Sequence, residues 1–162
     1  MIDYLKSTTI YCLAIVSLLT ACQPGDQTPC EATPVTTTAP KAEQADLKAY
    51  IDANKIEAVA DERGFYYSIQ NPGKGTKPTV CSRVSVNYAG KLTNGTSFDS
   101  GDDVRFGLNQ LILGWQEGIP LIAPGGRITL YLPPSLAYGE QEQSGIPAKS
   151  ILIFQIDLLT VD

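Results

Sequence analysis

The single tryptophan of the chain, Trp115, lies in a short apolar run, Gly107 to Gly118, four residues after Leu111 and three after Ile112. At helical spacing those three side chains meet on one face, so any ligand of this chain is expected to touch the indole. Asn109 can cap the first turn through its side-chain oxygen and Gly118 can supply a left-handed stop, which predicts one brief helix over this run. The chain has no histidine. That removes the commonest general base and metal ligand, and with them Ser-His-Asp, Cys-His and His-metal chemistry. Gly125-Gly126 lacks the Gly-x-x-x-x-Gly-Lys pattern of a phosphate loop and reads as a turn. Binding by apolar and aromatic contact is what remains, with no metal and no cofactor expected.

The elements that must hold this helix read as strands. Val84, Val86 and Tyr88 alternate with Ser85 and Asn87, so one face is buried; Thr93-Asn94-Gly95-Thr96 is a hairpin turn, and Ser97-Phe98-Asp99 opens the next strand. Val104-Arg105-Phe106 leads into the helix. After it, Ile128, Leu130 and Leu132 face one way, and the run from Ile151 to Leu159 is apolar enough for a central strand. Phe65 to Gln70 is a further strand, ended by Asn71-Pro72-Gly73. The expected fold is α+β: a twisted antiparallel sheet of about five strands wrapped on one short helix. Ahead of it, Glu43 to Asn54 places Leu47, Tyr50 and Ile51 at helical spacing. This amphipathic helix packs on the domain or leads into it; as a dimerising stalk it would offer too short a seam. An extended piece follows from Ile56, then a turn at Asp61 to Gly64.

The amino end reads as an address. Met1 to Lys6 precedes about a dozen mostly apolar residues, Thr8 to Leu19, a length that suits a signal sequence and is too short to span a bilayer. From Gln23 to Ala42 stand four prolines and five threonines, with Val35 the only large apolar side chain. Such a stretch cannot offset its ordering entropy and is expected to be an extended tether. The division is therefore 1–21 signal, 22–42 tether, 43–63 helix and connector, and 64–162 a single domain. With 162 residues and a formal net charge of −5, no stretch gathers Lys and Arg into a patch for phosphates, and nucleic acid is excluded as a partner. Cys30 and Cys81 remain once the signal and Cys22 are accounted for. In an oxidising compartment they can pair, although one lies in the tether and the other at a strand start, and the sequence leaves this open.

Two resemblances carry the reading further. Leu19-Thr20-Ala21-Cys22 resembles the lipobox of bacterial lipoproteins, which implies lipidation of Cys22 and a mature chain held by acyl chains; an ordinary signal peptide cleaved nearby is the alternative. Gln23 after the cysteine implies, by that family's sorting rule, the outer membrane, facing the periplasm. From about Phe65 the order of motifs is similar to the FKBP-type peptidyl-prolyl isomerases. They are Val86-Asn87-Tyr88-Ala89-Gly90, Gly95 to Ser100, Gly114-Trp115-Gln116-Glu117-Gly118, Gly125-Gly126-Arg127, Leu132 to Gly139, Gly145-Ile146-Pro147-Ala148 and the closing strand. With the lipobox, tether and short helix, the chain resembles the lipoprotein branch of that family. The resemblance implies a pocket with Tyr88 and Phe98 on its walls and Trp115 as its floor. Leu111 and Ile112 would stand at the entrance, the Ile112 amide near a ligand carbonyl, and Tyr138 would offer its hydroxyl. Asp99 would hold a polar position on the rim, Phe106 and Phe154 would line the base, and Ile146 would close one side. Val104 stands where many members have a wall aromatic, the loop from Glu140 to Ser144 lacks a histidine often found there, and the Ser100-to-Asp103 bulge is shorter and more acidic.

Read from physics, those residues suit the task. Amide resonance gives an X-Pro bond a barrier of about 18–20 kcal/mol, and spontaneous exchange takes about tens of seconds. The twisted amide has lost conjugation and part of its dipole, so a water-poor apolar cup disfavours the planar form more than the twisted one. Each residue also has a plainer reading: Tyr88, Phe98, Phe154 and Trp115 as core, Tyr138 as a surface tyrosine, Asp99 as a solvated turn residue. The implied partners are proline-containing peptides or unfolded envelope proteins, with macrolides as further ligands, and the expected state is a monomer. A membrane-tethered peptide-binding chaperone or adaptor without catalysis is the competing function.

Overall fold

A computed structural model of the chain describes Cys30 and residues 36–162. Cys22, the signal-like run and most of the tether lie outside the described residues. Six antiparallel strands form one sheet: β1 (Val59–Ala60), β2 (Tyr66–Asn71), β3 (Arg83–Leu92), β4 (Ser97–Gly107), β5 (Arg127–Leu132) and β6 (Leu152–Val161), in the spatial order β1-β2-β5-β6-β3-β4. The strand beyond the expected five is the two-residue β1, which pairs Val59 with Tyr67 and Ala60 with Tyr66 at the edge. Among the described residues no helix is long and apolar enough to cross a membrane.

The alternation read from the sequence builds the core. Val84, Val86, Ile128, Leu130, Leu132, Leu152, Ile156 and Leu158 are buried, and α2 (Leu113–Gly118) packs against them. Each of these side chains contributes about 1.5–3 kcal/mol by leaving water. Helix and sheet approach closely because α2 presents glycine to the sheet: a Cβ at Gly114 would collide with Leu132, and one at Gly118 would lie 2.5 Å from the Leu130 methyls. Gly118 was expected as a left-handed stop, but its φ is −80° and the chain continues into a 3-10 turn, Ile119–Leu121. Space against Leu130, not turn geometry, is what requires glycine there.

The expected single helix is also two pieces. Leu108–Gln110 form a 3-10 turn anchored by the Leu108 N–H on Ser82 O (3.0 Å), and Leu111 and Ile112 are extended before α2 begins. Asn109 therefore does not cap α2, whose first residue follows Ile112. Burial of Leu108 fixes one end of the segment and burial of Trp115 the other, and a continuous helix would not leave Leu111 and Ile112 extended between them.

Ser85, expected on the open face of β3, is 2% exposed, and its hydroxyl donates to Asp103. The cause is a bulge in β4. Pairing passes from Val86↔Val104 to Tyr88↔Gly101, so β4 carries one extra residue there, and Asp103 sits at φ +50° with its N–H on Asn87 Oδ1 (2.8 Å). The hairpin at Asn94-Gly95 forms as read, with Gly95 at φ +86°.

The amphipathic helix is α1 (Lys41–Ala53), and it packs on the domain: Leu47 and Ile51 are buried. The Ala39 N–H donates to Arg63 O (2.9 Å), tying the chain ahead of α1 to the turn before β2. Cys30 and Cys81 form a disulfide, which the sequence left open.

Candidate binding cavity

Four rings and a hydroxyl converge at one end of the sheet. Trp115 comes from α2, Tyr88 from β3, Phe106 from the end of β4 and Phe154 from β6. Three rings meet the indole edge to face: Tyr88 at 5.3 Å and 79°, Phe106 at 6.1 Å and 88°, Phe154 at 5.2 Å and 89°. Such T-shaped pairs place ring edges against ring faces and are worth about 0.5–1.5 kcal/mol each beyond burial. Trp115 is therefore held from three sides by elements far apart in sequence.

The rings form the base of a cavity of about 250 Å³, lined by Tyr88, Asp99, Phe106, Gln110, Leu111, Ile112, Trp115, Tyr138 and Phe154. Trp115 is 4% exposed and still lines that space, so the indole is a floor and not a sealed core residue. Its Nε1–H has no acceptor among the described residues. A buried donor gains by finding a partner, so the indole N–H is available to an acceptor that enters this space.

The mouth carries the polar groups. Tyr88 Oη donates to Asp99 Oδ2 at 2.9 Å, joining β3 to β4 across the rim. Burial, then the hydrogen bond and charge of Asp99, push the Tyr88 hydroxyl up to about 12. Tyr138, 38% exposed on the loop after β5, is also raised, by burial and then by the Asp99 charge. Both phenols therefore stay protonated donors through the neutral range. Gln116 reaches back from α2, its Nε2 donating to Leu111 O at 2.7 Å, and so fixes the extended break at the entrance.

Eight of the residues singled out in the sequence thus line one space. Phe98, Val104 and Ile146 do not. Phe98 packs edge-on to Phe154 (5.5 Å, 87°) in the room left by Gly90, where a Cβ would lie 2.6 Å from its ring. The β4 bulge places Val104 opposite Val86, with its Cγ2 over Gly101. Ile146 belongs to the buried core, bridged to Gln143. Gln110 and Gln116 escaped the sequence reading, because a glutamine beside an apolar run has no pattern that separates a rim residue from a solvated one.

Comparison with known proteins agrees with this geometry. Residues 74–159, more than half of the chain, match the family model described as FKBP-type peptidyl-prolyl cis-trans isomerase. FkpA of Aeromonas hydrophila, named an FKBP-type peptidyl-prolyl cis-trans isomerase, is 42% identical over 119 residues, which are 70% of this chain and 44% of that protein. The crystal structure of FkpA from Escherichia coli superposes with a TM-score of 0.68 at 37% identity, covering 75% of this chain and 60% of that one. A peptidyl-prolyl cis-trans isomerase from Pseudomonas syringae gives 0.67 at 28% identity, with 78% of this chain and 98% of that one covered. The chain thus spans less than two thirds of the first two relatives. With six antiparallel strands on a short helix, an aromatic cavity floored by Trp115 and the family match over residues 74–159, this chain belongs to the FKBP-type peptidyl-prolyl cis-trans isomerase family.

Proposed function

We propose that this protein catalyses cis/trans isomerisation of X-Pro bonds. The observation that carries the reading is the cavity of about 250 Å³ in which Tyr88, Phe106 and Phe154 surround the Trp115 floor with two phenol donors at the mouth. A proline ring fills such a cup and displaces its water. The planar amide, with its full dipole, then loses more solvation than the twisted form, and the barrier falls without proton transfer. In this reading Trp115 lies under the ring and Tyr88, Phe106 and Phe154 form the walls. Leu111 and Ile112 receive the residue before proline, Tyr138 donates to a carbonyl, and Asp99 holds the Tyr88 hydroxyl. Phe98 acts through Phe154, Val104 packs over Gly101 beside the Tyr88 ring, and Ile146 sets the spacing of the core behind.

The finer proposals rest on the amino end. The lipobox-like Leu19 to Cys22 supports lipidation of Cys22, and of the Pro- and Thr-rich residues 22–42 those ahead of the Cys30–Cys81 bridge support a tether, from which the folded domain acts on unfolded envelope proteins, from the outer membrane into the periplasm. Macrolides are expected to compete for the same apolar cup, with affinity reduced where Val104 replaces a wall aromatic.

The deciding experiment follows cis-to-trans exchange of a Leu-Pro or Phe-Pro peptide with the full chain. We expect acceleration over the spontaneous rate and loss of most of it in Trp115→Ala, with macrolide inhibition as a second arm. A folded wild-type protein with no acceleration removes the reading.

A further inference from the structure

The residues ahead of the family-matched region make polar contacts with two of the elements that carry the cavity. Glu43, in the first turn of α1, accepts the Ser135 N–H at 2.9 Å across 92 positions of sequence. Ser135 is the second residue of the 3-10 turn Pro134–Leu136. First-turn donors have no partner within a helix, and prolines 133 and 134 donate nothing, so the Glu43 carboxylate satisfies a group that would otherwise stay open. The same turn frames Tyr138, because Ala137 N–H (2.9 Å) and Gly139 N–H (2.8 Å) both donate to Pro134 O. At the other end of this segment, Arg63 bonds Asp61 at 2.9 Å and also reaches Glu117 of α2, two residues beyond Trp115. The Arg63 carbonyl in turn accepts the Ala39 N–H, so residues 39–64 form one connected piece between these two contacts.

We propose that Glu43 and Arg63 are positioning residues for the isomerisation reaction: Glu43 sets the loop that carries Tyr138, and Arg63 sets the helix that carries Trp115. The proposal rests on the isomerase reading. The hydroxyl of Tyr138 and the face of Trp115 must hold a fixed relation, and they stand on elements 23 positions apart in sequence. Residues 39–64 reach both, from outside the part of the chain that matches the family model. A brace of this kind acts on rate more than on affinity, since a displaced donor still lets the proline ring enter the cup.

The test uses the full chain and the Leu-Pro peptide. Glu43→Ala is expected to lower kcat about fivefold with KM nearly unchanged, and Glu43→Gln, which keeps an acceptor oxygen at the same reach, to restore it to within about twofold. Should Glu43→Ala fail to fold, Glu43→Asp withdraws the carboxylate by one methylene and carries the same expectation. Arg63→Met is expected to shift the emission of the single tryptophan and lower kcat, with Arg63→Lys in between. Folded Glu43→Ala and Arg63→Met proteins with wild-type kcat and KM would overturn the proposal, whatever happens to their melting temperatures. If the wild type shows no rate at all, the isomerase reading fails alone, and Ser135 amide exchange decides the brace. Protection lost in Glu43→Ala and kept in Glu43→Gln upholds it; protection equal in both removes it.

Discussion

The peptide between Leu111 and Ile112 is oriented by one side chain. Gln116 Nε2 holds Leu111 O at 2.7 Å, and in a planar trans peptide the next N–H points the opposite way, which leaves the Ile112 N–H unpaired among the described residues. Gln116→Glu sets a carboxylate against that carbonyl. It is expected to lower the peptide isomerisation rate about tenfold and to cost about 1–3 kcal/mol in thermal unfolding, the scale of an unsatisfied buried acceptor. Tyr88 gives a pH signature. Its folded pKa of about 12 lies above the ordinary 10.0, so the folded state keeps a proton that the unfolded state releases. Its contribution is complete below pH 10.0 and is lost as pH rises toward about 12. Denaturant titrations across that window should show stability falling with pH, and a smaller slope in Tyr88→Phe; equal slopes would refute the coupling. Below it, Tyr88 and Tyr138 remain donors and impose no pH dependence on the rate between neutral and mildly alkaline conditions.

At the scale of elements, the cavity exists because the helix is pressed onto the sheet and the edge strand is bent. Gly118 faces the Leu130 methyls at a separation that leaves no room for a Cβ. Gly118→Ala, mild in an exposed helix, is expected here to destabilise by about 1–3 kcal/mol through overpacking, and to displace Trp115 with its helix, which the tryptophan emission would register. The bulge in β4 shifts register by one residue, so that Asp99 meets the Tyr88 hydroxyl while Val104 turns to Val86. Asp103 carries this bulge at φ +50°, held by Asn87 and Ser85. Asp103→Val places a branched side chain in that conformation and removes the acceptor of a buried hydroxyl. An expected loss of about 2 kcal/mol follows from backbone strain together with an unsatisfied donor, measurable by urea unfolding.

For the whole molecule, α1 and the disulfide extend the folded unit beyond the family-matched region. Leu47 of α1 is fully buried, so Leu47→Ala is expected to cost about 2–5 kcal/mol, a loss that a free spacer helix would not show. The Cys30–Cys81 bridge closes a separation of 51 residues around that helix. On the chain-entropy account such a closure is worth about 2–4 kcal/mol. Thiol reduction should therefore lower the melting temperature of the wild type and leave that of Cys30→Ser unchanged.

Sequence alone determined the strands with alternating apolar faces, the Asn94-Gly95 turn and the amphipathic α1, because each of these is written in local periodicity or in turn chemistry. It also excluded histidine-based chemistry outright, since composition needs no fold. The tertiary structure alone decided the rest. Which of the aromatic and aliphatic candidates face the cavity depends on a one-residue bulge, beside which Val104 pairs with Val86 and covers Gly101 next to the Tyr88 ring. The break at Leu111-Ile112 and the helical φ of Gly118 come from burial at both ends of the segment and from the close approach of Leu130. The pairing of Cys30 with Cys81, and the reach of Glu43 and Arg63, depend on which distant parts of the chain become neighbours. Periodicity reports the faces of an element; it carries no information about which distant element that face will meet.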